Sequence, residues 1–123
     1  KNLSARKSFW EAFDREVSAE CDPFFIVGDL NAIADVSETT NLANPKKLLS
    51  PQLQKWARLG QTVDVGAFDN RPTRVKNAEG AGSRIDKILI SKSLHTIVSR
   101  SVWELGERTS DHFSIRWSFV FPQ

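Results

Sequence analysis

The chain has 123 residues, of which 40% are hydrophobic and 26% charged, and its formal net charge is +2. This length and composition indicate one soluble globular domain, and no apolar run approaches the length that spans a bilayer. The single cysteine excludes an intrachain disulfide and a cysteine-rich zinc site, and it is consistent with an intracellular, reducing compartment. The small positive charge allows a polyanionic partner without requiring one.

The N-terminal segment has the pattern of an amphipathic helix, with apolar side chains at Phe9, Trp10, Phe13 and Val17. Asp22-Pro23 is expected to end this helix, because the residue before a proline avoids helical backbone angles. The continuous apolar run 24–27 then leads into a glycine. This run predicts a strand that is buried on both faces.

A long loop and a second helix follow. Residues 32–49 show little periodicity and predict the loop. Ser50, Pro51 and Gly60 then match the N-cap, the first-turn proline and the C-terminal glycine of a helix. The predicted apolar stripe of this helix consists of Leu53, Trp56 and Ala57.

The remainder of the chain predicts strands almost throughout. Strand-like patterns occupy residues 62–68, 71–75, 83–91, 96–105 and 112–121, with a glycine-containing turn at 77–82. In the last strand one face carries Phe113, Ile115, Trp117, Phe119 and Phe121. The order of helix, strand, helix and further strands predicts a layered α/β domain with one mixed, mostly antiparallel sheet and helices on one face.

Polar side chains stand at the edges of three of these apolar runs. The three patterns are Asp29-Leu30-Asn31, Arg84-Ile85-Asp86 and Ser110-Asp111-His112. Ligands of α/β sheets bind where strands end, so the three patterns could form one site. Each pattern alone also has a simpler explanation, as a turn, a structural ion pair or the edge of a loop.

Taken together, the carboxylates, the amide and the imidazole form a workable set for hydrolysis of a phosphate ester. A carboxylate can orient and deprotonate a water molecule, while an amide and an imidazole can stabilise charge on phosphoryl oxygens. A second carboxylate can hold the imidazole in one tautomer. A further acid can help to hold a divalent cation such as Mg²⁺.

The segments IVGDLN, SRIDKILIS and TSDHFSI resemble, in order and spacing, the endonuclease/exonuclease/phosphatase superfamily. Within it they are most similar to abasic-site endonucleases and to the endonucleases of LINE-type retroelements. The resemblance implies the C-terminal half of a four-layer α/β sandwich, with residues 1–123 as one partial domain. It also implies a nuclease that depends on Mg²⁺ or Mn²⁺ and acts on nucleic acid, with DNA as the expected substrate and the nucleus as one candidate location.

The resemblance further implies a role for each matched residue. Asp29 would orient or deprotonate the attacking water, and Asn31 would contact the scissile phosphate. Asp86 would pair with His112, which would stabilise the phosphorane, and Asp111 would lie near the metal. The implied substrate-binding residues are Asn31, Arg74 and Arg84, with Ser83 and Ser110 as supporting residues.

The resemblance covers only part of the superfamily's site. The N-terminal half normally supplies an amide residue, the glutamate that is the principal magnesium ligand and a tyrosine, and none has a counterpart here. The chain contains neither Tyr nor Met. We therefore expect a fragment of a longer protein that is weakly active or inactive alone and binds little or no metal by itself. Its inner sheet face would pack on the missing half or on a second copy in a homodimer, because a large exposed apolar patch drives association.

Three alternatives stay open from the sequence. The first is a phosphatase of the same superfamily that acts on a phosphorylated small molecule or lipid, although SRIDKIL stands where the inositol phosphate enzymes carry a Cys-Asp-Arg-like block. The second is a module that binds nucleic acid or another partner without chemistry. The third is coincidence in a generic α/β domain. Thr73-Arg74 also departs from related nucleases, which often have an aromatic residue after the threonine, so that Arg74 could contact a phosphate instead.

Overall fold

The structure is a computed structural model that describes residues 3–19, 23–76 and 81–122. Its elements in chain order are α1 (Leu3–Ala19), β1 (Phe25–Asp29), a 3-10 turn (Val36–Glu38), α2 (Pro51–Arg58), β2 (Thr62–Asp64), β3 (Arg74–Val75), β4 (Gly82–Ser83), β5 (Asp86–Ser91), α3 (Lys92–Ile97), β6 (Arg100–Arg108) and β7 (Phe113–Val120). This order confirms the predicted α/β class. Within the described ranges, no helix is long and apolar enough to cross a membrane.

In the described residues the strands form three antiparallel sheets instead of the single mixed sheet that the sequence predicted. In the largest sheet β5 lies between β1 and β2, while β3 pairs with β4 and β6 pairs with β7. The sheets separate at residues 84–85, where the amides of Ile85 and Asp86 donate to the hydroxyl of Thr73 and not to a strand carbonyl. A single bridge between Arg74 and His112 connects the hairpin of β3 and β4 to the start of β7.

The central strand β5 is covered on both faces. On one face Leu89 packs with buried residues of the two long helices and the loop, namely Val17, Ala32, Leu53 and Trp56. On the other face Ile88 and Ile90 pack with Leu94 of α3 and with Ile115 and Trp117 of β7. Part of the apolar face predicted for the last strand is therefore partly buried within this chain.

The prediction that the first strand is buried on both faces is wrong. Ile26 packs against the helices, but Phe25 and Val27 on the opposite face are 62% and 57% exposed. The reason is that β1 lies at the edge of its sheet and β7 packs on β5, which leaves this side of β1 uncovered in the described structure. The result is a small exposed apolar patch formed by Phe25 and Val27.

Both predicted helices are confirmed. In α2 the hydroxyl of Ser50 accepts a hydrogen bond from the amide of Leu53, proline occupies the first turn, and Gly60 after the helix adopts a φ of +68°. Leu53 and Trp56 are buried as predicted, whereas Ala57 is exposed. The expected stop of α1 at Asp22 and most of the predicted turn at 77–82 lie outside the described residues.

Two local elements were not predicted. The short helix α3 occupies residues whose end was assigned to a strand, and Ser91 caps it by accepting from the amide of Leu94. The predicted loop 32–49 contains the 3-10 turn, which is closed by a capping box between Asp35 and Glu38. Both elements begin with an N-cap residue, as longer helices do. They are too short to show the helical periodicity of apolar residues by which longer helices are predicted.

Candidate active site

Side chains from three separate segments meet at one end of the central sheet. Asp29 ends β1 and lies directly opposite Asp86, the first residue of β5, in the antiparallel register. His112 lies just before β7 and reaches the same place because its backbone bridges to Arg74 at the start of β3. Asp29, Asp86 and His112, one residue from each of the three patterns that the sequence singled out, thus lie together, while their catalytic roles stay predictions.

The imidazole of His112 is the centre of this cluster. Its Nδ1 lies 2.8 Å from Oδ2 of Asp86, at hydrogen-bond distance. Its Nε2 lies 3.8 Å from Oδ2 of Asp29 and 3.9 Å from Oδ1 of Asp111. With an ionised carboxylate, which only accepts, this contact requires the proton on Nδ1. The ring then presents Nε2 to the two more exposed carboxylates, those of Asp29 and Asp111.

Asn31 fixes the carboxylate of Asp29 through a tight turn. Its backbone amide donates to Oδ1 of Asp29 at 2.8 Å, and its φ of +49° lies in the left-handed region that asparagine tolerates. Gly28 precedes the pair with a φ of +144°, which a residue with a side chain rarely adopts. The turn therefore leaves Oδ2 of Asp29 as the oxygen that faces His112.

Asp111 and Arg74 form an ion pair beside the imidazole. The Nε of Arg74 donates to Oδ2 of Asp111 at 2.9 Å. This hydrogen bond lowers the pKa of Asp111 below its usual value, so the carboxyl stays ionised at neutral pH. Nearby, the hydroxyl of Ser110 accepts from the amide of His112 at 3.3 Å, while its supporting role stays a prediction.

A polar cleft of about 460 Å³ adjoins the cluster. Asn31 and Arg74 belong to its lining and connect it to the site. Lys47 and Lys76 add two exposed cations to the lining, and Ser83 of β4 also lines the cleft. The cleft thus combines cationic and hydrogen-bonding groups next to the carboxylates, a combination suited to an extended phosphate-bearing ligand.

Arg84 does not lie at this site. Its side chain is 2% exposed, its Nε donates to Asn70 at 2.9 Å and its NH1 donates to Asp64 at 3.0 Å. In an uninterrupted strand Arg84 would point to the same face as Asp86, two residues further on. The break at residues 84–85 instead directs its side chain to the side of β5 where Lys87 lies. Both cations contact the buried carboxylate of Glu38. Arg84 is thus placed for a structural ion pair and not for contact with a substrate.

Sequence reasoning missed three buried polar residues behind the site. Thr73 is 0% exposed, and Glu38 and Lys87 are 6% and 1% exposed. The capping-box spacing from Asp35 to Glu38 was a signal for the turn, but not for the ion pair with Lys87, since the partners are far apart in sequence. Thr73 was noted only as the threonine before Arg74 in the comparison with related nucleases, and nothing in the sequence predicted its burial or its hydrogen bonds.

The chemistry of the cluster suits a divalent cation. In the described ranges, the side chains that bring three potential ligand atoms within 4.8 Å of one another are those of Asp29, Asp86 and His112. Mg²⁺ is usually held by one or two carboxylates together with water and substrate phosphate oxygens. Asp29, whose side chain is 48% exposed, offers a free oxygen for this purpose, whereas Oδ2 of Asp86 is already bonded to His112.

Comparison with known proteins agrees with the resemblance seen in the motifs. A search of curated proteins finds no match to this chain. A family model, described as the endonuclease/exonuclease/phosphatase family, matches residues 2–112 and so includes the whole cluster from Asp29 to His112. With nearly the full length matched and the motif residues gathered at one sheet end, the chain belongs to the endonuclease/exonuclease/phosphatase family.

Proposed function

We propose that this chain carries part of the active site of a divalent-metal-dependent phosphodiesterase that cleaves nucleic acid, with DNA as the expected substrate. The observation that carries the proposal is the orientation of His112, with Nδ1 2.8 Å from Asp86 and Nε2 3.8 Å from Asp29. In the imidazolium form Nδ1–H donates to Asp86, and Nε2–H is directed to the exposed side, where a phosphoryl oxygen can accept it. This bond strengthens as negative charge builds on that oxygen.

Asp29 is the residue proposed to orient and deprotonate the attacking water. Its Oδ1 is held by the amide of Asn31, so the lone pairs of Oδ2 face the exposed side of the cluster. A water between Oδ2 and the phosphorus would be within reach of this general base. Asn31 lines the adjoining cleft, which suits the proposed contact with the scissile phosphate.

The metal is proposed to be Mg²⁺ or Mn²⁺. A cation beside Asp29 would offset the charge of the phosphate oxygens. The Oδ2 of Asp111 accepts a hydrogen bond from Arg74, and its Oδ1 lies 3.9 Å from Nε2 of His112. We therefore propose that Asp111 lies beside the cation, and that Arg74 is the residue which meets a neighbouring phosphate.

We further propose that the chain is the C-terminal half of a nuclease of the abasic-site or LINE-type kind, and that a complementary half completes it. Two features support this. The described residues bring together one three-ligand cluster, Asp29, Asp86 and His112. Phe25 and Val27 are exposed on β1, the strand that ends at Asp29 of this cluster. The complementary half, or a second copy of this chain, would cover that face. Light scattering that shows a stable monomer of the chain at micromolar concentration would contradict the second-copy form.

Cleavage of supercoiled plasmid by the full-length protein in Mg²⁺ tests the proposal, with loss of activity in EDTA as the first requirement. The chain has two histidines, which provide a matched pair of variants. We expect His112→Ala to lower the rate by roughly 10²–10⁴-fold, the usual range for loss of a proton-transfer group. His95→Ala, at an exposed position of α3, should remain within about twofold of the wild-type rate. Cleavage that survives His112→Ala would refute the proposed role.

Salt dependence separates a polymeric substrate from a phosphorylated small molecule. Lys47, Arg74 and Lys76 line one cleft, so a nucleic acid would release several counterions on binding. We expect KM for DNA to rise steeply between 50 and 200 mM salt, on the order of tenfold or more. A flat salt profile together with turnover of an inositol phosphate would favour the phosphatase alternative.

A further inference from the structure

We infer that Thr73 is a positioning residue that sets the distance between Asp86 and His112. This inference rests on the proposed function for its catalytic consequence, but its geometry is independent of the reaction. Thr73 is 0% exposed and so cannot contact a substrate. It lies immediately before β3, between the strand that carries Asp86 and the segment that carries His112.

On the Asp86 side, the hydroxyl of Thr73 accepts the hydrogen bonds that carbonyls of a neighbouring strand would otherwise accept. The Oγ1 of Thr73 accepts from the amide of Ile85 at 3.1 Å and from the amide of Asp86 at 2.9 Å. Both amides lie where the ladder breaks between β4 and β5. A hydroxyl has two acceptor lone pairs and one proton, and the carbonyl of Ser83 lies 3.4 Å from the same oxygen to receive that proton. A threonine or serine can therefore satisfy all three groups at once.

On the His112 side, the backbone of β3 holds both neighbours of the histidine. The carbonyl of Thr73 accepts from the amide of Phe113 at 2.7 Å, and the amide of Val75 donates to the carbonyl of Asp111 at 2.8 Å. Between them, the backbone of Arg74 bridges to His112. The side chain of Thr73 is thus bonded to the Asp86 strand, and its backbone to the His112 segment.

The consequence is that Thr73 sets the Nδ1–Oδ2 distance of 2.8 Å without touching either atom. Without its hydroxyl, the start of β5 would lose its attachment to β3, and Asp86 would move relative to His112. A displacement of about 1 Å at a catalytic group can lower a rate by roughly 10²-fold. This loss should fall on kcat, because Thr73 contributes nothing to the cleft that binds the ligand.

The test compares Thr73→Val, which keeps the shape and removes the hydroxyl, with Thr73→Ser, which keeps the hydroxyl. Thr62→Val is the matched control, since Thr62 is also buried and pairs with Ser91 at the other end of β5. The first readout is the NMR spectrum of the imidazole nitrogens. The signals of His112 are those that disappear in His112→Ala. We expect Thr73→Val to lose the defined Nδ1–H tautomer, and Thr73→Ser and Thr62→Val to retain it. A folded Thr73→Val protein with an unchanged His112 spectrum would overturn the inference.

The second readout is cleavage by the full-length protein. We expect Thr73→Val to lower kcat by roughly 30–100-fold with KM within about threefold, and Thr73→Ser to restore kcat to within about threefold. In a His112→Ala background Thr73→Val should cause no further loss. An equal additional loss there would show that Thr73 acts by some other route. Absence of cleavage in the wild-type protein would refute the proposed function and leave the spectral test standing.

If Thr73→Val does not fold, hydrogen exchange in the wild-type chain provides the remaining test. The amides of Ile85 and Asp86 should exchange as slowly as those in the β5 ladder, because the hydroxyl of Thr73 accepts from both. Exchange at the rate of an unprotected amide would overturn the inference.

Discussion

Replacement of Glu38 by glutamine tests whether the charge buried behind the site holds the fold together. Glu38 is 6% exposed, and its Oε1 contacts Nζ of Lys87 and, at 3.4 Å, NH2 of Arg84. Its Oε2 accepts from the amides of Ala34 and Asp35. Glutamine can keep the backbone contacts through its carbonyl, but it removes the negative charge and turns an amide towards two cations.

The remaining carboxylate cannot compensate for that loss. In Glu38→Gln, Asp64 alone would face Lys87 at 3.3 Å and Arg84 at 2.9 Å, so that two buried cations share one anion. Removal of one partner from a buried ion pair typically costs about 3–5 kcal/mol. A small domain has about 5–15 kcal/mol in total, so the variant should be close to its stability limit.

Urea unfolding followed by circular dichroism and by tryptophan fluorescence measures this cost. At an m value of roughly 2 kcal/mol/M, the midpoint should fall by about 2 M urea. Glu104→Gln is the matched control, because Glu104 is 49% exposed and pairs with Arg116 on the surface of the β6–β7 hairpin. That change should cost at most about 1 kcal/mol. If the two variants unfold within about 1 kcal/mol of each other, the reasoning about buried charge is refuted.

Two further predictions concern packing and pH. The indole of Trp56 donates to Asp14 and lowers its pKa, so Asp14→Asn should cost about 1–2 kcal/mol at pH 7. Because the pKa of Asp14 in the folded state lies below its unfolded value, the stability difference between wild type and Asp14→Asn should persist above about pH 4. It should vanish as pH falls through the folded pKa. A constant stability difference down to about pH 2 would contradict this reasoning. Gly66→Ala would place a methyl group 2.7 Å from the ring of Trp103 and should cost about 1–3 kcal/mol by the same urea assay. Gly106→Ala meets only a serine hydroxyl that can rotate away, so it should cost less, and the reverse ranking would contradict the packing argument.

Periodicity and capping residues were sufficient to predict much of the fold. The helical spacing from Phe9 to Val17 and the cap at Ser50 both predicted helices that the structure contains. The pattern over residues 83–91 predicted a strand, and in β5 the consecutive residues Leu89 and Ile90 belong to separate core clusters. Such local signals work because each element must bury one face, whatever it packs against.

What the sequence could not provide depends on contacts between distant segments. Phe25 looks like a core residue, but whether its face is covered depends on what packs beside the edge strand. Arg84 looks available to a substrate, but a break in the strand turns it towards Glu38, 46 residues away by their numbers. Thr73 shows its role only through hydrogen bonds to residues 85, 86 and 113. The cluster was easier to predict, because strand boundaries are local features and its residues stand at three of them: Asp29 at the end of β1, Asp86 at the start of β5 and His112 just before β7.

The register of the sheet predicts a conflict between stability and function at the cluster. Asp29 and Asp86 lie directly opposite each other on adjacent strands, and like charges in this position are unfavourable by about 0.2–1 kcal/mol. Asp29→Asn keeps the oxygen that accepts from Asn31 and removes one of the two charges. It should therefore raise the free energy of unfolding by up to about 1 kcal/mol without metal, while nucleic-acid cleavage falls. Asp64→Asn, the same chemical change beside two buried cations, should instead destabilise the chain. Urea unfolding of both variants measures these changes. If Asp29→Asn also destabilises the chain, the two carboxylates do not repel each other in the folded state. The contacts of Asp29 and Asp86 with the imidazole of His112 then do not account for the stability of the cluster by themselves.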